Sequence, residues 1–246
     1  MHAEIQPDDF IPGAYVLSIG GAEQSHVNLA APEQVFYEYL RRMANLLDVF
    51  RPGAEPIKVL HLGAGALTLA RYLAVTRPGS EQTAVELERE LLDFVLESLP
   101  MPAGSELQIE IGDARWMLPK VADQGPFDAI VLDIFSGPDA PEHIACADFY
   151  AEAAALLGPE GLLLVNVGDE PGLSLLRSQC TALSSVLPAT VLYAESSMFS
   201  GRYPGNLILA GCLTEHWNPL WTERLLAAGP HPCRVLEGVE LDDFRL

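Results

Sequence analysis

Basic residues are scarce in this chain: 14 lysines and arginines stand against 34 aspartates and glutamates, a formal charge of −20. Such an excess repels phosphate backbones and anionic membrane surfaces, so the expected partners exclude nucleic acid and membrane and include a small molecule, a cationic amine among the candidates. Long apolar runs are missing too. No stretch approaches the roughly 18 residues that a membrane-spanning helix needs. The segment Met1 to Phe10 is polar and acidic, unlike a secretory signal, and the expectation is a cytoplasmic protein. Cysteine is sparse: Cys146, Cys180, Cys212 and Cys233 lie far apart without a CxxC pair, and the six histidines form neither HxH nor HxxxH. Neither disulfides nor a metal site is expected. His61, inside an apolar run, reads as a satisfied core residue.

What the chain does have is apolar content, 49% of 246 residues, enough for the core of one large α/β domain with a small appendage. Residues 1–52 read as an N-terminal β-hairpin and helix. The hairpin is AYVLSI from Ala14, a Gly20-Gly21 turn and a polar run to Asn28. The helix starts at Pro32, presents Val35, Phe36, Tyr39, Leu40, Met43 and Leu46 on one face, and stops at Arg51-Pro52-Gly53.

Residues 53–246 alternate. After a first strand leading to Leu62 come helix Leu67 to Val75, strand Gln82 to Glu86, helix Arg89 to Glu97 and strand Leu107 to Ile111. Helix Ala114 to Val121, strand Phe127 to Leu132, helix Cys146 to Leu157, strand Gly161 to Val167 and helix Leu173 to Leu187 continue the pattern. Such alternation implies parallel pairing. Strands Thr190 to Ala194 and Asn206 to Ala210 have a polar link too short for a crossover helix and should pair antiparallel. Helix Leu220 to Ala227 and a loosely specified tail close the chain. The expected fold is therefore α/β: a Rossmann-like sheet of the class I S-adenosylmethionine-dependent methyltransferase type, seven-stranded with a terminal antiparallel strand, preceded by the hairpin.

Within this frame VLHLGAGALTLARYL, Val59 to Leu73, runs from an apolar strand through a glycine turn into an apolar-striped helix. Gly63 and Gly65 supply positive φ and let a ligand approach the backbone, while the helix start directs free N–H groups at it. Leu67 in place of a further glycine counts against a nicotinamide site. Glu86, with Glu88 beside it, ends the next strand at about the 20-residue spacing at which an acid accepts ribose hydroxyls. Gly112-Asp113-Ala114 and Asp133 end the following two. Acids at several strand ends mark one crevice, because open α/β sheets bind ligands along that edge.

GGAEQS at Gly20 to Ser25, the Tyr37 helix, the glycine turn, VELE at Val85 to Glu88, GDA at Asp113, FDAIVLDIFSGP at Asp133, DFY at Asp148 to Tyr150 and RYPGN at Arg202 to Asn206 occur in the order found in spermidine synthases. Over nearly its whole length the chain resembles that aminopropyltransferase family. The resemblance implies a homodimer and an in-line transfer from decarboxylated S-adenosylmethionine to an amine, with Asp133 as the catalytic acid. It implies Glu86 as the ribose ligand, Asp113 with Ala114 as the adenine contact, Gln24 on the donor and Tyr203 in the amine pocket. Asp113 also reads as a cap for the helix beginning at Ala114. Three positions depart from the family pattern: Ala66 replaces the aspartate of the glycine turn, Ser136 the second aspartate after strand four, and Glu38 a glutamine after the helix tyrosine. Without a carboxylate at Ala66 nothing repels the α-carboxylate of intact S-adenosylmethionine, so that compound, its decarboxylated form and methylthioadenosine are all candidate ligands. Aminopropyl transfer, methyl transfer and a non-catalytic nucleoside-binding or regulatory role stay open.

Overall fold

The computed structural model describes residues 2–51, 53–134 and 141–246. It opens with a three-stranded antiparallel sheet, β1 (Ala3–Pro7), β2 (Ala14–Ile19) and β3 (Ala22–Asn28). The hairpin is the expected one, and Gly20 and Gly21 both take positive φ in its two-residue turn. Strand β1 is additional. It is short and polar, with no alternation to reveal it, and forms on the edge of β2, where Ala3 and Ile5 pack near Val95 and Leu99.

Helix α1 (Glu38–Phe50) begins six residues later than Pro32 suggests. The side-chain oxygen of Asn28 accepts from the N–H groups of Ala30 and Ala31 and holds the chain in a turn, and Tyr37 is still extended. Phe36 consequently leaves the apolar face: it is 59% exposed and stacks on His26. The remaining stripe, Leu40, Met43, Leu46 and Leu47, is buried against the large sheet, about 2 kcal/mol for each such side chain.

Among the described residues that sheet has eight strands, not seven, in the order β11-β9-β10-β8-β7-β4-β5-β6. Strands β4 (Val59–Leu62), β5 (Glu81–Glu86), β6 (Glu106–Ile111), β7 (Phe127–Leu132) and β8 (Leu157–Asp169) are parallel. Strand β10 (Gly205–Cys212) runs antiparallel between β8 and β9 (Ala189–Glu195), pairing as the sequence indicates, with Ile208 opposite Tyr193. The eighth strand, β11 (Cys233–Glu237), comes from the tail and pairs antiparallel with β9. Its five residues carry no pattern of their own and take strand form from the open edge of β9.

Helices α2 (Thr68–Thr76), α3 (Arg89–Ser98), α4 (Ala114–Val121), α6 (Ser174–Ser184) and α7 (Pro219–Ala228) fall close to where the periodicity puts them; α5 (Ala147–Ala154) stops short of the expected Leu157, where β8 already begins, and the tail adds α8 (Gly238–Arg245). Alternate strand residues serve opposite layers. Leu60, Ile130 and Leu163 face α4, α5 and α6; Val59, Ala129 and Leu162 face α1. Among the described residues no helix is long and apolar enough to cross a membrane.

His61 sits in β4, 4% exposed, with Nε2 at 2.9 Å from Gln82 Oε1. Burial pushes its imidazole down to about 4. Between that value and the ordinary 6.5 the unfolded chain binds a proton that the folded chain refuses, so stability is lost as pH falls through this window. From pH 7 to pH 5 the protein is expected to lose about 2 kcal/mol more than its His61→Gln variant does. Urea unfolding at the two pH values measures the difference, and equal losses would refute it.

Candidate functional site

The carboxyl edge of the parallel strands holds two cavities that share a wall. The larger, of about 760 Å³, lies between α1, β3 and the ends of β7 and β8; the smaller, of about 260 Å³, lies beyond the ends of β5 and β6. Gly63, Gly65, Asp133 and Ile134 line both. The two cavities therefore meet at the glycine turn, where the strand order reverses direction around β4 and β7.

Gly63 is required there by a close approach. Its φ is +91°, and a Cβ on it would lie 2.5 Å from the Asp133 carbonyl oxygen. Gly65, φ +50°, would bring a Cβ to 3.2 Å from Ser25 Oγ. Leu67, where an unstrained turn would carry glycine, nevertheless adopts φ +58°; the cost, about 1 kcal/mol, is offset by burying its side chain against Ala70, Ala84 and Leu92. Ala66 is also buried, packed on Leu17 and Val27.

In the smaller cavity the Glu86 carboxylate accepts from the Ala64 N–H at 2.9 Å and the Glu88 N–H at 3.0 Å, which ties the end of β5 to the glycine turn and leaves lone pairs for further donors. Asp113 has both roles that its position suggests. One oxygen caps α4 by accepting from Arg115 N and Trp116 N; the other is 2.8 Å from His143 Nε2, and the side chain stands on the cavity wall with Ala114. Leu87, 60% exposed between two acids, and Ile144 supply the apolar surfaces of this slot.

Asp133 follows β7. Its Oδ1 accepts from Asn166 Nδ2 at 2.8 Å, and its Oδ2 faces the Tyr39 hydroxyl at 3.5 Å, a long and weak contact. Burial holds its carboxyl above the usual carboxylate range; the hydrogen bonds from Asn166 and Tyr39 restrain the rise. Burial and the Asp133 charge raise the Tyr39 hydroxyl strongly, so it remains a donor. Tyr37, pushed up to about 12 by burial and by Glu23, donates to Glu23 at 3.2 Å. The result is a basic carboxylate held between two donors at the junction of an apolar-walled slot and a polar chamber, suited to anchoring an amine and accepting its proton.

The residues singled out from the sequence thus fall in three groups. Gly63, Gly65, Glu86, Asp113, Ala114 and Asp133 meet around the shared wall, and Gln24 and Glu38 line the larger cavity. Glu38 is ion-paired with Arg42 one turn later on α1. Tyr203 stands 60% exposed between β9 and β10 and is not on either wall, and Ser136 lies outside the described residues. Sequence reasoning missed Asn166, Tyr39, Arg42, His143 and Leu87. Only Asn166 carries a signal, as the polar residue inside the apolar run LLLVNV. Among the described residues no group of three His, Cys, Asp or Glu side chains is placed to hold a metal ion.

Strand order and the cleft at its reversal define a class I methyltransferase-like, Rossmann-type α/β fold. Within that class the chain is similar to spermidine synthases, the group its motifs resemble. It is 29% identical to the polyamine aminopropyltransferase of Vibrio vulnificus (strain CMCP6) over 136 residues, 54% of this chain and 44% of that protein. The chain thus spans less than half the length of that relative. The crystal structure of a probable spermidine synthase from Corynebacterium glutamicum ATCC 13032 superposes with a TM-score of 0.86 at 29% identity, covering 99% of this chain and 90% of that one. Human methyltransferase-like protein 13, solved in complex with SAH, shares the fold at a TM-score of 0.63 and 20% identity, covering 78% and 90% of the two chains. No family model matches the chain.

Proposed function

We propose that this chain is a transferase of the spermidine synthase type that binds S-adenosylmethionine, its decarboxylated form or methylthioadenosine, and moves an aminopropyl or methyl group from a sulfonium donor to an amine or other small acceptor. The observation that carries the reading is the junction of the two cavities at Asp133. Glu86 receives the ribose hydroxyls on the lone pairs left by its backbone donors. Leu87 and Ile144 enclose the base, and Asp113 offers its exocyclic amine an acceptor that His143 holds in place. The donor's sulfonium tail enters the larger cavity beside Gln24 and Asp133. Asp133 orients the acceptor amine and takes its proton as the nitrogen lone pair displaces sulfur from carbon; the C–S electrons leave on a neutral thioether.

The turn wall at Ala66 is apolar and packed, and the turn itself contributes no carboxylate to select a donor by the charge of its tail. Calorimetry is therefore expected to give dissociation constants within about tenfold of one another for S-adenosylmethionine, its decarboxylated form and methylthioadenosine. A preference of about 100-fold or more for the decarboxylated compound would overturn this. A second reading, nucleoside binding without turnover, is favoured by one observation: Glu38, the acid nearest to replacing those absent from the amine pocket, is neutralised by Arg42. Nucleoside affinity with no transfer to any amine of a broad panel would establish it.

A further inference from the structure

Asn166 is a polar residue in a place that favours none. It lies in β8 within the apolar run LLLVNV and is 3% exposed. Leu132 of β7 is registered with Val165 of β8, so Asp133 and Asn166 stand side by side one step further on. Alternation along β8 puts Asn166 on the face of Leu162 and Leu164, the one covered by α1. Its Nδ2 donates to Asp133 Oδ1 at 2.8 Å, its one hydrogen bond among the described residues, and its own Oδ1 is buried with no partner there. A buried amide with an unsatisfied carbonyl opposes folding, and a leucine would serve the interior of β8 better. What the asparagine supplies is a donor to Asp133.

The two oxygens of Asp133 are held unequally. Oδ1 accepts from Asn166, on a strand paired to β7 on one side and β10 on the other, whereas Oδ2 has the Tyr39 hydroxyl at 3.5 Å, from a helix in another layer. The ionisable side chains around them are turned elsewhere. Glu38 pairs with Arg42 on α1, Glu23 of β3 accepts from Tyr37, and His61 of β4 faces Gln82. At the strand ends Asp169 accepts from the N–H groups of Glu170 and Leu176, and Glu195 accepts from Ser197, while Glu170 is exposed. Glu86 and Asp113, across the shared wall, accept from backbone N–H groups. Among the described residues the side chains hydrogen-bonded to the Asp133 carboxylate are therefore Asn166 and Tyr39.

We infer that Asn166 is a positioning residue for the transfer: its amide fixes Oδ1 of Asp133, so that Oδ2 is the oxygen that meets the acceptor amine and takes its proton. This rests on reading Asp133 as the base. The nitrogen lone pair forms the new C–N bond as the C–S bond breaks, the C–S electrons leave on sulfur, and the proton ends on Oδ2, where the weak Tyr39 contact gives way. Tyr39 then contributes little to the ionisation of Asp133, and Asn166 contributes most of the restraint on its rise.

The experiment follows the Asp133 carboxyl by carbon NMR titration of the full chain labelled at aspartate, its signal identified by its loss in Asp133→Asn. The pH profile of kcat/KM for transfer is measured beside it, for wild type, Asn166→Leu and Tyr39→Phe. Removal of the Asn166 donor is expected to raise the titration of Asp133 by about one pH unit. Tyr39→Phe should move it by less than about 0.3 unit, because 3.5 Å is the limit of a hydrogen bond. In Asn166→Leu the acidic limb of kcat/KM should rise with the titration. On its plateau kcat should fall about tenfold while KM for the amine stays within about threefold, since aim rather than charge is lost. A merely structural role would lower activity with the limb in place. An unmoved Asp133 titration in Asn166→Leu, an acidic limb that does not follow it, or an equally large shift in Tyr39→Phe overturns the inference. If Asn166→Leu fails to fold, Asn166→Val, a residue suited to a buried strand, is read by the same criteria. A wild type that transfers to no amine strikes the transferase reading instead, and the carboxyl titration still decides which partner holds Asp133.

Discussion

Asp133→Asn is expected to lower turnover about 10³-fold, followed as release of methylthioadenosine or S-adenosylhomocysteine across a panel of amines, while nucleoside affinity changes less than about threefold. The substitution is nearly isosteric. Asn166 Nδ2, now 2.8 Å from Asp133 Oδ1, can donate to the new amide oxygen, and the proposed ribose and base ligands, Glu86 and Asp113, follow other strands. What disappears is the negative charge that holds an amine and the basicity that removes its proton. Stability should move the other way. Burial raises the Asp133 pKa in the folded chain above its ordinary 3.8, so the ionised carboxylate opposes folding once pH exceeds that value. Between 3.8 and the raised value the folded chain keeps a proton that the unfolded chain releases, so the wild-type protein loses stability as pH rises through that window, and the asparagine variant does not. Denaturant unfolding at pH 7 should therefore find Asp133→Asn at least as stable as wild type, a trade of stability for activity common at active sites. Unchanged turnover would remove the catalytic assignment, and a clear loss of stability would remove the account of its electrostatics.

Gly63→Ala is the second large effect, and it falls on the fold and the site together. A methyl group there would lie 2.5 Å from the Asp133 carbonyl oxygen and 3.0 Å from an Ile134 side-chain carbon, at a residue whose φ is +91°. The left-handed backbone costs about 1–2 kcal/mol for any residue with a Cβ. Pushing the end of β7 away costs a similar amount, so a total near 3 kcal/mol is expected, read from the urea midpoint. The same displacement moves Asp133, which both cavities share, so affinity for nucleosides and transfer should fall with it. Gly65→Ala is the control: its nearest atom is a single serine hydroxyl oxygen at 3.2 Å, and the loss should be smaller. Equal losses at the two glycines would mean that backbone conformation alone, and not the approach of Asp133, sets the requirement for Gly63.

Much of this site is legible from residue order because of one geometrical rule: a parallel α/β sheet carries the residue after each strand to the same edge. Glu86, Asp113 and Asp133 follow apolar runs whose ends are plain in the sequence, and their convergence needs no knowledge of packing. The alternation of strands and helices is equally local, since patterns of period 2 and 3.6 are written within single segments. Strand β11 is not legible in this way. Its pairing depends on an edge that β9 offers only after the sheet has formed. The late start of α1 depends likewise on Asn28 holding the preceding turn.

The partners of Asp133 are a matter of tertiary structure alone. Tyr39 and Asn166 lie 94 and 33 residues away from it, one on a helix face that reads as ordinary core and the other within an apolar strand. Arg42 joins that chamber because α1 packs across β9 and β10. Strand ends, the glycine turn and the acidic residues that follow the strands are determined by the chain's own local patterns. Which donors hold the central carboxylate and which residue pairs with which across the chamber are decided only when elements distant in sequence are packed together, because those contacts depend on side-chain direction and interlayer geometry rather than on any repeat within a segment.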